Sequence, residues 1–172
     1  MTTHFTVLSR VVHWLMAILI LAMLFIGVAM VSSLSDYHRL VSIHKPIGIL
    51  ILVLAAPRLI NRLFNPAPPL PAGMPAVLRF AAHASHWVLY VLMFALPLIG
   101  WGMLSAGGYP IDLVGSFHLP AILPHNSALY AVLRPAHTVL AYLLFVTFLV
   151  HLGAALAHAF IFRDGVFESM TH

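Results

Sequence analysis

The 172-residue sequence contains no cysteine. That excludes a disulfide, an iron–sulfur cluster and a thiolate ligand for any metal. It is nearly as poor in acid, with four Asp and Glu in the chain and only 7% charged residues of either sign. A soluble domain carries about 25% charged residues, which keep its surface hydrated. A chain that is 62% hydrophobic, with a mean hydropathy of +1.03, cannot cover itself in water. Lipid is therefore the expected solvent for most of its surface. The pI near 10 does not point to nucleic acid. The eight Lys and Arg stand at the ends of apolar runs, as membrane-flanking residues do.

What the chain does have is long apolar runs, at about residues 11–31, 40–60, 77–104 and 132–162. Each reaches the roughly 20 residues that cross a bilayer core as a helix. The expected fold is all-α, an integral membrane four-helix transmembrane bundle, with residues 1–172 as one domain. The first run is too long for the apolar region of a signal peptide and reads as a retained helix. Pro46 falls in the expected first turn of helix two, where its missing N–H costs little. Pro57 and Pro97 are interior and should kink their helices. The stretch Asn65–Pro75 (NPAPPLPAGMP) reads as a stiff extended linker. The 103–131 connection is expected on the membrane surface over the bundle mouth. One side of the membrane holds Arg10, Arg58, Arg62, Arg79 and Arg163, the other Arg39, Lys45 and Arg134. The excess of basic residues puts both termini in the cytoplasm of a bacterial inner membrane.

The other surplus is histidine, 12 in all. Histidine is costly within a bilayer and marks function there. His137 and His151 lie 14 residues apart on helix four, within about 40° of one face and separated by about 21 Å along the axis. Two imidazoles stacked this way suit two haems placed one above the other, each iron needing an axial nitrogen from either side. His13, near the start of helix one, matches the depth of His151; His44, near the start of helix two, matches His137. A single membrane histidine is as often an interior group bound to a backbone carbonyl, but four that pair by height argue for ligands. His83 and His86, in the first turns of helix three, share the inner depth, which excludes neither as a ligand. A propionate contact or a polar quinone-side role is the alternative for them. His4, His38, His118, His125 and His172 fall in loops or termini, where a solvated imidazole is the default.

Arg10 and Arg134 each stand three residues before a paired histidine, one turn nearer the surface. Each is placed to pair with a haem propionate, or to anchor its helix at the interface. Gly27, Gly48, Gly100, Gly102 and Gly153 leave room for a macrocycle or for close helix packing. His158, seven residues after His151, lies on nearly the same face about 10 Å nearer the cytoplasm. There an imidazole can relay protons to a quinone, or simply sit at the interface. Arg79, Trp87 and Arg163 are further candidates to hold the quinone.

HW at 13–14, HKPIGIL at 44–50, RLINRLFNPAPPLP at 58–71, AHASHWVLY at 82–90 and HLGAALAH at 151–158 together resemble the bacterial cytochrome b561 family. The blocks stand in family order from Phe5 to about Glu168. Two-haem cytochrome b subunits of nickel hydrogenases and formate dehydrogenases are similar in outline. The resemblance implies two non-covalent haems b, with His13 and His151 on one iron and His44 and His137 on the other, leaving His83 and His86 as non-ligands. The lack of any CxxCH motif agrees with non-covalent binding. It also implies electron transfer across the membrane to ubiquinone, from superoxide or from a periplasmic redox protein. Two alternatives stand beside this. One is a haem-binding subunit relaying electrons for a partner dehydrogenase. The other is a metal or proton transporter, which would want carboxylates inside the spans; Asp36, Asp112, Asp164 and Glu168 all lie outside them.

Overall fold

The computed structural model describes residues 4–113 and 117–171. Four long helices form the bundle: α1 (Val7–Ser32), α2 (Tyr37–Phe64), α3 (Ala76–Ala106) and α4 (Ser127–Ala157). Each is long and apolar enough to cross a membrane. A π-helical turn (His158–Phe162) extends α4, and a short helix, α5 (Glu168–Thr171), follows. Side chains cap two of the starts: Thr6 Oγ1 accepts from the Ser9 N–H at 3.2 Å, and Asn126 Oδ1 from the Leu129 N–H at 3.0 Å.

The helices run past the apolar segments of the sequence, because polar residues continue the helix into the headgroup zone. As a result Pro46 is not in the first turn of α2 but interior to it, as is Pro57. Pro97 lies within α3 and Pro135 within α4. Membrane helices tolerate this, since neighbouring helices and local adjustments satisfy the freed carbonyls.

Large apolar side chains cover the outside, among them Phe25, Val53, Val146 and Phe160. A contiguous apolar exterior of this kind is stable only against lipid. The buried cluster is Met16, Ile20, Ile51, Ala55, Tyr90, Leu92, Met93, Leu96 and Leu144. All but Leu144 come from α1–α3. Among the described residues α1 packs along α2, α3 along α4, and α2 along α3, whereas α4 approaches α1 and α2 only marginally. The bundle is thus two helical hairpins joined through α2 and α3, with α4 held off from the first hairpin.

At the end carrying both termini, the Phe5 N–H donates to the Ser169 carbonyl at 3.0 Å, and Trp14 Nε1 to that of Met170 at 3.1 Å. The described parts of the connection between α3 and α4, residues 107–113 and 117–126, lie at the opposite end. They include a minimal antiparallel pair, β1 (Ile111–Asp112) with β2 (His118–Leu119). Two residues per strand are too few to leave an alternation pattern in the sequence. The connection is tied down by Lys45 Nζ to the Pro110 carbonyl (3.0 Å), Trp101 Nε1 to that of Pro120 (2.9 Å) and the Ile122 N–H to Ser105 Oγ (3.1 Å).

Candidate functional site

Four of the twelve histidines meet in pairs across the helices that α4 fails to pack against. His13 of α1 and His151 of α4 face each other at the terminal end, ring centres 6.3 Å apart and planes inclined at 64°. His44 of α2 and His137 of α4 do the same at the hairpin end, at 6.2 Å and 68°. All four rings are part-buried. Nδ1 of His44 and Nδ1 of His137 are buried without a hydrogen-bond partner, an expensive state for a polar atom in an apolar bundle. Gly100 of α3 lies against His137: a Cβ there would come within 3.3 Å of the ring's Cε1. Glycine at this position gives the imidazole its place. Gly27 and Gly153 have open space around them, and Gly102 abuts Leu123.

The terminal-end pair has two further neighbours. The His86 ring stands 5.2 Å from that of His151, and the Nδ1–H of His86 donates to the Ala82 carbonyl at 2.5 Å. Arg58 of α2 donates from Nη2 to Nδ1 of His13 at 2.9 Å, with its guanidinium 5.7 Å over the Tyr90 ring. Four residues on, Arg62 lies 5.7 Å over the Phe5 ring, and its Nη1 is buried without a hydrogen-bond partner. Among the described residues the ion pairs are His118–Asp112 and His158–Asp164, so neither arginine has a carboxylate. Sequence reasoning had counted Arg58 and Arg62 only as flanking charge. The available signal was spacing: Arg58 follows His44 by 14 residues, as His151 follows His137, and so returns to the same helix face at the other depth.

The remaining candidates are scattered. Arg10 is half-buried one turn before His13, while Arg134 is exposed with Nη1 3.5 Å from the Tyr130 hydroxyl. His83 is exposed on α3. His158 donates from Nδ1 to the Asp164 carboxylate at 2.8 Å. Arg79 and Arg163 donate to nearby carbonyls, those of Met74 and Phe160. His118, expected to be solvated, pairs with Asp112 across the β1–β2 ladder at 2.5 Å.

Four helices long and apolar enough to cross a membrane thus bring imidazoles together in two pairs, the donor set a membrane cytochrome b uses. The comparisons name the family. Residues 4–172 match the family described as prokaryotic cytochrome b561, and the chain belongs to it. Among similar proteins, cytochrome b561 homolog 2 of Escherichia coli (strain K12) is 36% identical over 171 residues, 97% of this chain and 90% of that protein. A probable superoxide oxidase of Yersinia pestis is 33% identical over 165 residues, 92% and 90% of the two chains. Cytochrome b561 homolog 1 of Escherichia coli (strain K12) is 30% identical over 136 residues, 79% and 77%. The chain is a bacterial membrane haem protein of electron transport, and the haem its family implies is of the b type.

The paired histidines fit that group. An iron held between two imidazole nitrogens, each about 2 Å away, sets the ring centres roughly 6 Å apart. Both pairs have that separation before any metal is considered.

Proposed function

We propose that the chain holds two non-covalent haems b and passes electrons across the bacterial inner membrane to ubiquinone. His13 and His151 would be the axial ligands of the inner haem, His44 and His137 those of the outer. One observation supports this reading: two imidazole pairs at an iron-spanning separation, each joining α4 to a helix it otherwise approaches only marginally. Bound haem supplies a one-electron iron couple at each depth. The chain contributes position, about 21 Å along α4, and an apolar surround that keeps water from both sites. Arg10 and Arg134, each one turn surfaceward of a ligand, are the groups proposed for the propionates.

The excess of basic flanks at the terminal end supports a cytoplasmic position for both termini. Ubiquinone is then reduced at the terminal end, each molecule taking two electrons, one at a time, and two protons. His158, bonded to Asp164 beyond His151, is proposed to pass protons there. For the donor we favour superoxide, which gives up one electron to become dioxygen, because a relative 33% identical is named a probable superoxide oxidase. A periplasmic redox protein or a partner dehydrogenase is the second reading.

A pyridine haemochrome assay on the purified protein is expected to give two haems b per chain, low-spin and extractable by acid acetone. One haem, or a c-type spectrum, would refute the assignment. Stopped-flow mixing with superoxide is expected to reduce the haems without any other protein. Failure there, with both haems present, would leave the partner-protein reading.

A further inference from the structure

The histidine pair is one of two connections between α1 and α4 at the terminal end. The other is made by the segment that follows α4. Its Ser169 carbonyl accepts from the Phe5 N–H at 3.0 Å, and its Met170 carbonyl from Trp14 Nε1 at 3.1 Å. Trp14 adjoins His13, their ring centres 5.5 Å apart. Phe5 in turn lies under the Arg62 guanidinium of α2. Within the segment Ser169 is buried, and its Oγ donates to the Val166 carbonyl at 2.7 Å. So short a piece holds one conformation only where it is tied down.

The chain enters this segment through a hinge. The π-helical turn ends at Arg163, a non-glycine residue at φ 49°, and Gly165 follows at φ 80°. Only glycine adopts such values freely. The Nδ1–H of His158 reaches across the bend to the Asp164 carboxylate at 2.8 Å, which also accepts from the Val166 N–H at 3.3 Å. Closure carries a cost, because Glu168 Oε2 is buried with no hydrogen-bond partner. A strap held by a few polar bonds, with one left-handed arginine and one unpaired carboxylate oxygen, can release locally while the long helices stay formed.

We propose that residues 163–171 are a clasp that holds α4 to α1 at the His13–His151 site and controls the entry and release of haem there, resting on the ligand assignment proposed above. Opening parts His158 from Asp164 and releases the Phe5 and Trp14 bonds to residues 169 and 170. The end of α4 is then free to draw away from α1, since among the described residues the two helices touch only marginally elsewhere. Closing returns the segment to α1 and fixes His151 opposite His13. The hairpin-end pair joins α4 to α2 at the other depth, beyond the reach of the clasp, and serves as its internal control.

Release of haem from the purified holoprotein to excess apomyoglobin tests this, the haem that remains being assigned to its site by redox titration. Trp14→Phe keeps a ring but removes the donor to Met170, and Asp164→Ala removes the acceptor for His158. Each is expected to speed release from the terminal-end site at least tenfold and to leave hairpin-end release within twofold of wild type. Both act on one clasp, so the double variant should release no more than twofold faster than the faster single variant. Amide hydrogen exchange reads the segment itself: residues 166–171 should exchange together, at least tenfold faster in Trp14→Phe than in wild type. Terminal-end release unchanged in both single variants, equal acceleration at both sites, or rates that multiply in the double variant would each overturn the clasp. So would rapid exchange of residues 166–171 in wild type. Wild-type protein that lacks the terminal-end haem, yet exchanges these residues slowly and together, would refute the ligand assignment and reduce the clasp to a tie between helices.

Discussion

His137→Ala is expected to purify with one haem b per chain in place of two, the loss falling on the hairpin-end site. The reasoning is local. His137 and His44 face each other at 6.2 Å, and no third imidazole stands beside them in the ring contacts of the described residues. Gly100 is shaped around the His137 ring and offers no ligand of its own. His151→Ala is expected to empty the other site, because the rings of both His13 and His86 face His151. Without it, neither neighbour has an opposing ligand. A redox titration followed at the α-band separates the outcomes: two waves in wild type, one in each variant, at different midpoints. Retention of both haems in either variant would mean that the pairs are not the axial ligands. His13→Ala is expected to be the more forgiving substitution, since the His86 ring also stands 5.2 Å from that of His151.

Arg58→Leu is expected to lower the midpoint potential of the terminal-end haem and leave the other unchanged. Arginine has only donors to offer, so its 2.9 Å contact makes Nδ1 of His13 the acceptor. An imidazole bound to iron through Nε2 ordinarily carries its proton on Nδ1. Haem ligation therefore obliges Arg58 either to turn aside or to face a ligand that has given that proton up. In both arrangements a positive charge without a carboxylate partner remains close to the iron and favours its reduced state. At an effective dielectric of about 20, a unit charge one imidazole and one hydrogen bond away contributes on the order of 2 kcal/mol, or roughly 100 mV for one electron. That bias draws electrons toward the end where quinone is proposed to bind. Arg58→Lys keeps the charge and should recover most of the potential, which separates charge from packing. Equal midpoints in wild type and Arg58→Leu would show that the charge is neutralised in the holoprotein.

Most of the fold was legible because the bilayer leaves few choices. Apolar runs of bilayer length must be helices, and their number sets the bundle. The ends were less so: α2 begins at Tyr37 and α4 at Ser127, several residues before their apolar runs, because hydropathy marks the lipid core and not the helix. That offset turned Pro46 from a first-turn residue into an interior one. Depth along a helix follows from residue number alone, and so the sequence could set His13 level with His151 and His44 level with His137. What faces what across a gap depends on helix rotation and packing, which no count of residues supplies. The His86–His151 contact was missed for that reason, whereas the spacing that sets Arg58 on the His44 face was there to be read. The β1–β2 ladder left no trace because its strands are too short.

The separation of α4 from α1 and α2 bears on how the protein is made. Each helical hairpin can insert into the membrane by itself, and among the described residues the two are held together mainly along α2 and α3, with the Phe5–Ser169 and Trp14–Met170 hydrogen bonds at the terminal end. The remaining contact is delegated to whatever the histidines grip. Haem then acts as a structural joint as well as an electron carrier, and its supply should govern how much protein survives quality control. In cells starved of haem precursors, transcript levels should hold while the polypeptide falls to membrane proteases, with α4 among the first segments cut. Steady abundance under haem starvation would mean instead that the bundle closes on its own.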